Sequence, residues 1–167
     1  MNRASGKSTI SSANLITRPD NITAYAAGDV ITNATAICLT FPDCAKEKGD
    51  SGVITQVTII DSIQAATPLT GELWLFSATL TPADDNAAFA PTDAQALTCI
   101  GVIPFTSAGY LAANSVVVHI SNFGGLTFQC AADNTSLYGV LVARNAYAPT
   151  ALETFQVKLH IIYDTDN

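Results

Sequence analysis

Charge is scarce in this chain: charged residues fill only 13% of its 167 positions, about half the usual share for a globular domain. So thin a charge cover leaves much small and apolar surface free to bury against a partner. What charge there is runs negative, with 14 acids against 7 cations. That balance argues against nucleic acid as a partner, because affinity for phosphate comes from accumulated Lys and Arg. Long hydrophobic runs are missing too. Stretches such as "SVVVHIS" fall far short of the ~18 apolar residues of a membrane-spanning helix, so no membrane partner is expected. The opening "MNRASGKSTISS" contains no apolar h-region and predicts no secretory signal.

Missing motifs narrow the chemistry. Cys38, Cys44, Cys99 and Cys130 form no C-x-x-C pair, and three of them sit in strand-like apolar runs, which reads as buried, reduced thiol. His119 and His160 each lie in a separate strand-like run, without ligands at metal spacing and without a G-x-S-x-G serine elsewhere. The acids are scattered, with no pattern that sets two carboxylates across a cleft as a glycosidase requires. The stretch "ASGKST", Ala4 to Thr9, resembles the lysine end of a phosphate-binding loop, but the partner glycine of that motif would fall at Met1. No strand precedes it to aim a glycine-rich turn at a phosphate. The expectation is a protein without enzymatic activity, cofactor or bound metal.

Strands, in contrast, are everywhere after Asp20. In "ETFQVKLHIIYD", Phe155, Val157, Leu159, Ile161 and Tyr163 alternate with Gln156, Lys158, His160 and Ile162, the pattern of a half-buried antiparallel strand. "AGDVIT", "AICLTF", "GVITQVTIIDS", "GELWLFS", "LTCIGVIPF", "SVVVHIS", "GLTFQCA" and "SLYGVLVARN" bring the count to about nine, separated by Gly, Pro, Asn and Asp turn signals. "TPADDNAAFAPTDAQA", broken by Pro82 and Pro91, reads as a long connection with one short helical turn. The predicted fold is all-β, a single antiparallel β-sandwich of jelly-roll or Greek-key type spanning residues 20–167.

Residues 1–19 differ, being rich in Ser, Thr, Asn and Ala and free of acids. They predict an extended N-terminal arm, basic where the body is acidic, with Arg3, Lys7, Ile10, Leu15, Ile16 and Arg18 as candidate contacts to a neighbour. Two further constellations deserve naming. Asp84, Asp85 and Asp93, with Asn86, gather oxygen ligands of the kind Ca²⁺ takes, although not at EF-hand spacing, and solvated loop acids are the simpler reading. Trp74, Tyr138 and Tyr147 offer aromatic faces on which a sugar could stack, against the simpler reading of core packing.

Several stretches resemble a family of small virion proteins of tailed bacteriophages: "TRPDNITAYAAGDVI", "GELWLFS", "DNAAFAPTDAQAL", "IGVIPF" and "LYGVLVARNAYAPTALETFQVKLHIIYD". None of them is a catalytic motif. The resemblance implies a capsid decoration or cement protein that is assembled in the host cytoplasm. It would bind the major capsid protein on the outer surface of the head, as a homotrimer. The alternative is a host-surface carbohydrate-binding module of a tail or fibre, using Trp74, Tyr138 and Tyr147.

Overall fold

The computed structural model describes residues 7–106, 110–113 and 116–163. Among them the chain forms twelve strands and one helical turn. In order these are β1 (Ser8–Ser12), β2 (Ile16–Thr17), β3 (Val30–Ile31), β4 (Leu39–Phe41), β5 (Ser51–Asp61), β6 (Gly71–Phe76), α1 (Asp93–Ala96), β7 (Cys99–Phe105), β8 (Tyr110–Ala113), β9 (Val116–Ser121), β10 (Leu126–Gln129), β11 (Leu137–Ala143) and β12 (Thr154–Tyr163). They build two antiparallel sheets. The first runs β1-β12-β5-β9-β8, with β2 also on β12 and β10 also on β5; the second runs β3-β11-β6-β7, with β4 also on β11. The expected β-sandwich is therefore present.

The first sheet obeys strict alternation. On β12, Phe155, Val157, Leu159 and Ile161 point into the core, as do Ile54, Val57 and Ile59 on β5. A bulge lies opposite His160/Ile161, at Thr55, where β5 passes from pairing β10 to pairing β9. One extra residue there bends the strand and lets two short strands share one long edge.

The second sheet is apolar on both faces, which explains the nearly continuous hydrophobic run of β11. Leu137, Leu141 and Ala143 face the core between the sheets, while Val140 and Val142 face outward and are buried as well. Their cover is the connection between β6 and β7. Leu80, Ala83 and Phe89 from that connection lie on Trp74, Phe76, Val140 and Val142, and its backbone is tied along β3 by Val30 N–H to Ala87 O and Asn86 N–H to Val30 O. It ends in α1, held by a capping box between Thr92 and Gln95, which supplies partners to otherwise orphaned amides. Full burial of one such Phe or Leu is worth roughly 1.5–3 kcal/mol.

The N-terminal segment, expected as an extended arm reaching to a neighbour, lies along its own domain over residues 8–17. Ser8–Ser12 runs antiparallel along β12, and Ile16–Thr17 pairs with its start. Ser11, Ala13, Ile16 and Arg18 face inward, an alternation that small and polar side chains conceal in the sequence. Arg3 lies outside the described residues.

Gly71 shows how tightly the second sheet closes. A Cβ there would stand 2.5 Å from both the Phe105 ring and the Val142 carbonyl oxygen, and the carbonyl belongs to backbone that cannot swing away. Gly71→Ala is expected to cost roughly 1–3 kcal/mol through overpacking, read from a urea unfolding midpoint. Gly124→Ala is the comparison, since nothing lies within 4 Å of its Cβ position and only its φ of +82° opposes the change. Equal losses at both positions would mean that backbone conformation, not packing, sets the cost.

Candidate functional site

The side chains most capable of chemistry converge in the interior, at the end of the sandwich where the N-terminal segment, the β6–β7 connection and the turn before β12 meet. Arg18 is fully buried and sets Nη2 3.0 Å from Asp85 Oδ2. Its Nε donates to the Tyr25 hydroxyl, and its guanidinium lies 4.6 Å from the centre of the Tyr25 ring. Tyr25 in turn donates to Asp85 Oδ1 at 2.6 Å, which also accepts from the Thr32 N–H at 3.0 Å. The Asp85 carboxylate thus has a cation, a phenol and an amide, the set of partners a buried charge needs.

Tyr25 stacks on Tyr147 with ring centroids 6.4 Å apart, and Tyr147 opens a second cluster. Its hydroxyl donates to Glu153 Oε1 at 2.5 Å and lies 3.3 Å from Asp61 Oδ2. Glu153 Oε2 accepts from Thr150 N–H and Asp61 Oδ1 accepts from Ile63 N–H. Thr150 joins the two clusters, because its carbonyl accepts from Arg18 Nη1. Burial, then the neighbouring charge of Glu153, push the Asp61 carboxyl well above the usual carboxylate range, so Asp61 keeps its proton at neutral pH. This carboxyl pair has no counterpart in the local sequence pattern. With Asp61 2% and Glu153 1% exposed, no substrate reaches it in the folded domain.

The structure separates most of the residues that the sequence singles out. Of the arm residues, Ile16 and Arg18 are core, so neither is available to a neighbour. Ile10 and Leu15 remain 57% and 48% exposed, and Lys7 is exposed as well. The three acids do not form a cation cage: Asp85 is turned inward onto Arg18, while Asp84 stands exposed and Asp93 sits in the first turn of α1. Among the described residues no group of three His, Cys, Asp or Glu side chains is placed to hold a metal.

The aromatic platform is likewise divided. Tyr147 is wholly buried, and the half-buried Trp74 and Tyr138 pack on the second core beneath the β6–β7 connection. Trp74 meets the Phe89 ring edge-on at 5.3 Å and donates Nε1–H to Glu72. Arg144 bonds that same carboxylate at 2.6 Å and holds it below its ordinary range. The two histidines face opposite ways. His119 is buried against Phe105, and His160 lies on the outer face beside Thr58, with Nε2 3.1 Å from Oγ1. All four cysteines are free thiols, Cys44 and Cys130 buried and Cys38 and Cys99 half-buried.

Removing the cation from the first cluster should strand a buried carboxylate. Arg18→Met is expected to cost about 3–5 kcal/mol, and adding Asp85→Asn should recover part of that loss, because the orphaned charge goes with it. Unfolding free energies that simply add would show that the two residues do not act as a pair.

The second cluster and His119 predict opposed responses to pH. Asp61 keeps a proton in the fold that the unfolded chain releases above pH ~4. Its contribution is therefore complete in acid and is lost as pH rises through the raised folded value. Burial pushes the His119 imidazole down to about 4, whereas the unfolded chain takes up that proton near pH ~6.5. Its contribution is complete above pH ~6.5 and is lost as pH falls toward about 4. Stability of the natural sequence should be nearly level between these limits, where the slopes oppose, and should fall at higher pH. Asp61→Asn should remove the fall and expose a loss on acidification that approaches about 1.4 kcal/mol per pH unit. His119→Leu should instead decline across the whole range; urea midpoints that stay parallel for all three proteins would disconnect both groups from folding.

No family model matches the chain, and no curated protein matches it.

Proposed function

We propose that this chain is a non-enzymatic structural protein of a tailed-phage virion, of the decoration type, that reinforces the head by binding the major capsid protein on its outer surface, several copies together and three in the simplest closed arrangement. One observation carries the reading. The side chains that could do chemistry, Arg18, Tyr25, Asp61, Asp85, Tyr147 and Glu153, are spent on bonds inside the domain, and broad surface of low charge is what the molecule offers outward. The resemblance to phage virion proteins supports the same class. On this reading the N-terminal segment contributes its outward side chains, Lys7, Ile10 and Leu15, while Ile16 and Arg18 anchor it to its own domain.

A second reading, a host-glycan module of a tail or fibre, retains one supporting feature, the half-exposed Trp74 beside Glu72 and Arg144. Tyr147, buried between the sheets, no longer belongs to it.

Purified protein added to heads that lack it, followed by cryo-electron microscopy, separates the two. Saturable density at symmetry-related positions on the shell is the expected result. Density confined to the tail, together with glycan binding that Trp74→Ala abolishes, would replace the decoration reading with the second one.

A further inference from the structure

The two outer faces of the sandwich are not equivalent. That of the second sheet is covered by the chain's own β6–β7 connection. The outer face of the first sheet has no such cover among the described residues, and its composition is unusual for so acidic a protein. The seven strands of that sheet contain one acid among them, Asp61, and it points inward. The other 13 of the chain's 14 acids lie outside these strands, and among the described residues of the strands the one fully charged side chain on the outer face is Lys158.

Cross-strand register arranges this face in rows. Ser8, Ile162 and Val53 form one, and Ile10, His160 and Gln56 the next. Lys158, Thr58 and Ile120 form a third, and Gln156, Ile60 and Val118 a fourth. Ile10 and Ile162 are among the large apolar side chains that the fold leaves exposed, at 57% and 43%. Several polar members are already bonded within the plane: Gln56 Nε2 donates to Thr58 Oγ1, which meets His160 Nε2, and Gln156 Nε2 donates to the Ala13 carbonyl. Those groups can leave water without being orphaned, which lowers the penalty for covering the face, while the Lys158 ammonium must stay in reach of water. A shallow depression of about 670 Å³ between Ile10, Thr55 and Ile162 adds relief.

We infer that this face binds a second copy of the chain. Charge selects that occupant. Two molecules of net charge −7 repel each other where their acids lie, and a face without acids is where they can meet. A strongly charged partner would gain little from a face with one lysine, whereas a neutral face is matched by its own like. Four strands and four rows span roughly 20 Å by 20 Å, so two such faces bury roughly 800 Å² between them, below the standard size of stable interfaces, which makes the contact weak and dependent on concentration.

The inference stands on these observations and not on the virion reading, and its test uses the free protein. Sedimentation equilibrium of the full chain should show reversible self-association. Thr58→Glu, which places a carboxylate at the centre of the face, should weaken it at least tenfold with the thermal midpoint little changed. Ile162→Lys, at a more exposed site, serves if that variant fails to fold. Leu97→Glu, at a position 89% exposed outside the first sheet, should leave association intact. A natural sequence that stays monomeric at every concentration, or face variants that associate as it does, would overturn the inference. A monomeric chain that still decorates heads, with decoration lost in Thr58→Glu, would overturn it too and assign the face to the capsid protein, leaving the virion reading untouched.

Discussion

The buried ion pair between Arg18 and Asp85 is the constraint around which one end of this molecule is organised. Neither group can sit in the interior alone, since an unpaired buried charge is far costlier than the pair. Each therefore fixes the segment that carries it. Arg18 holds the N-terminal strands against β12, and Asp85 pulls the β6–β7 connection over the second sheet. Tyr25 and Thr32 complete the carboxylate's shell, and stacking of Tyr25 on Tyr147 carries the order across to the turn before β12. Three stretches distant in sequence are thereby committed to one arrangement. Removing a single member would loosen all three.

That commitment also decides what each face of the sandwich can do. Once the connection lies on the second sheet, the outward apolar side chains of β6 and β11 become a second core and are withdrawn from recognition. The first sheet keeps its alternation and with it an outward row of Thr, Gln, Ile and Val. The carboxylates and tyrosines of the buried clusters serve here as internal bonds.

The sequence made some of this legible. β12 shows its two faces in "TFQVKLHIIY" because none of the described residues covers one of them, and period-two alternation survives wherever one side meets solvent. β11, buried on both sides, lost that signal, and its apolar run pointed to a strand without showing what lay outside it. The N-terminal strands were hidden for a different reason. Their inward positions are taken by Ser11 and Ala13, small residues beside neighbouring backbone, with Ser11 Oγ donating to the Pro42 carbonyl, so composition suggested an extended arm that reaches to a neighbour. The polar clusters could not be read at all. Arg18 and Asp85 are 67 residues apart, and Tyr147 and Asp61 are 86 apart, and only the folded topology brings such groups together.

The buried cysteines carry one more consequence. Burial pushes the Cys44 thiol up to about 11 and the Cys130 thiol up to about 12, while thiolate is the form that oxidises or exchanges with disulfides. At neutral pH both stay protonated and closed to reagents. These two core thiols are consequently shielded from oxidants and from disulfide exchange while the domain stays folded.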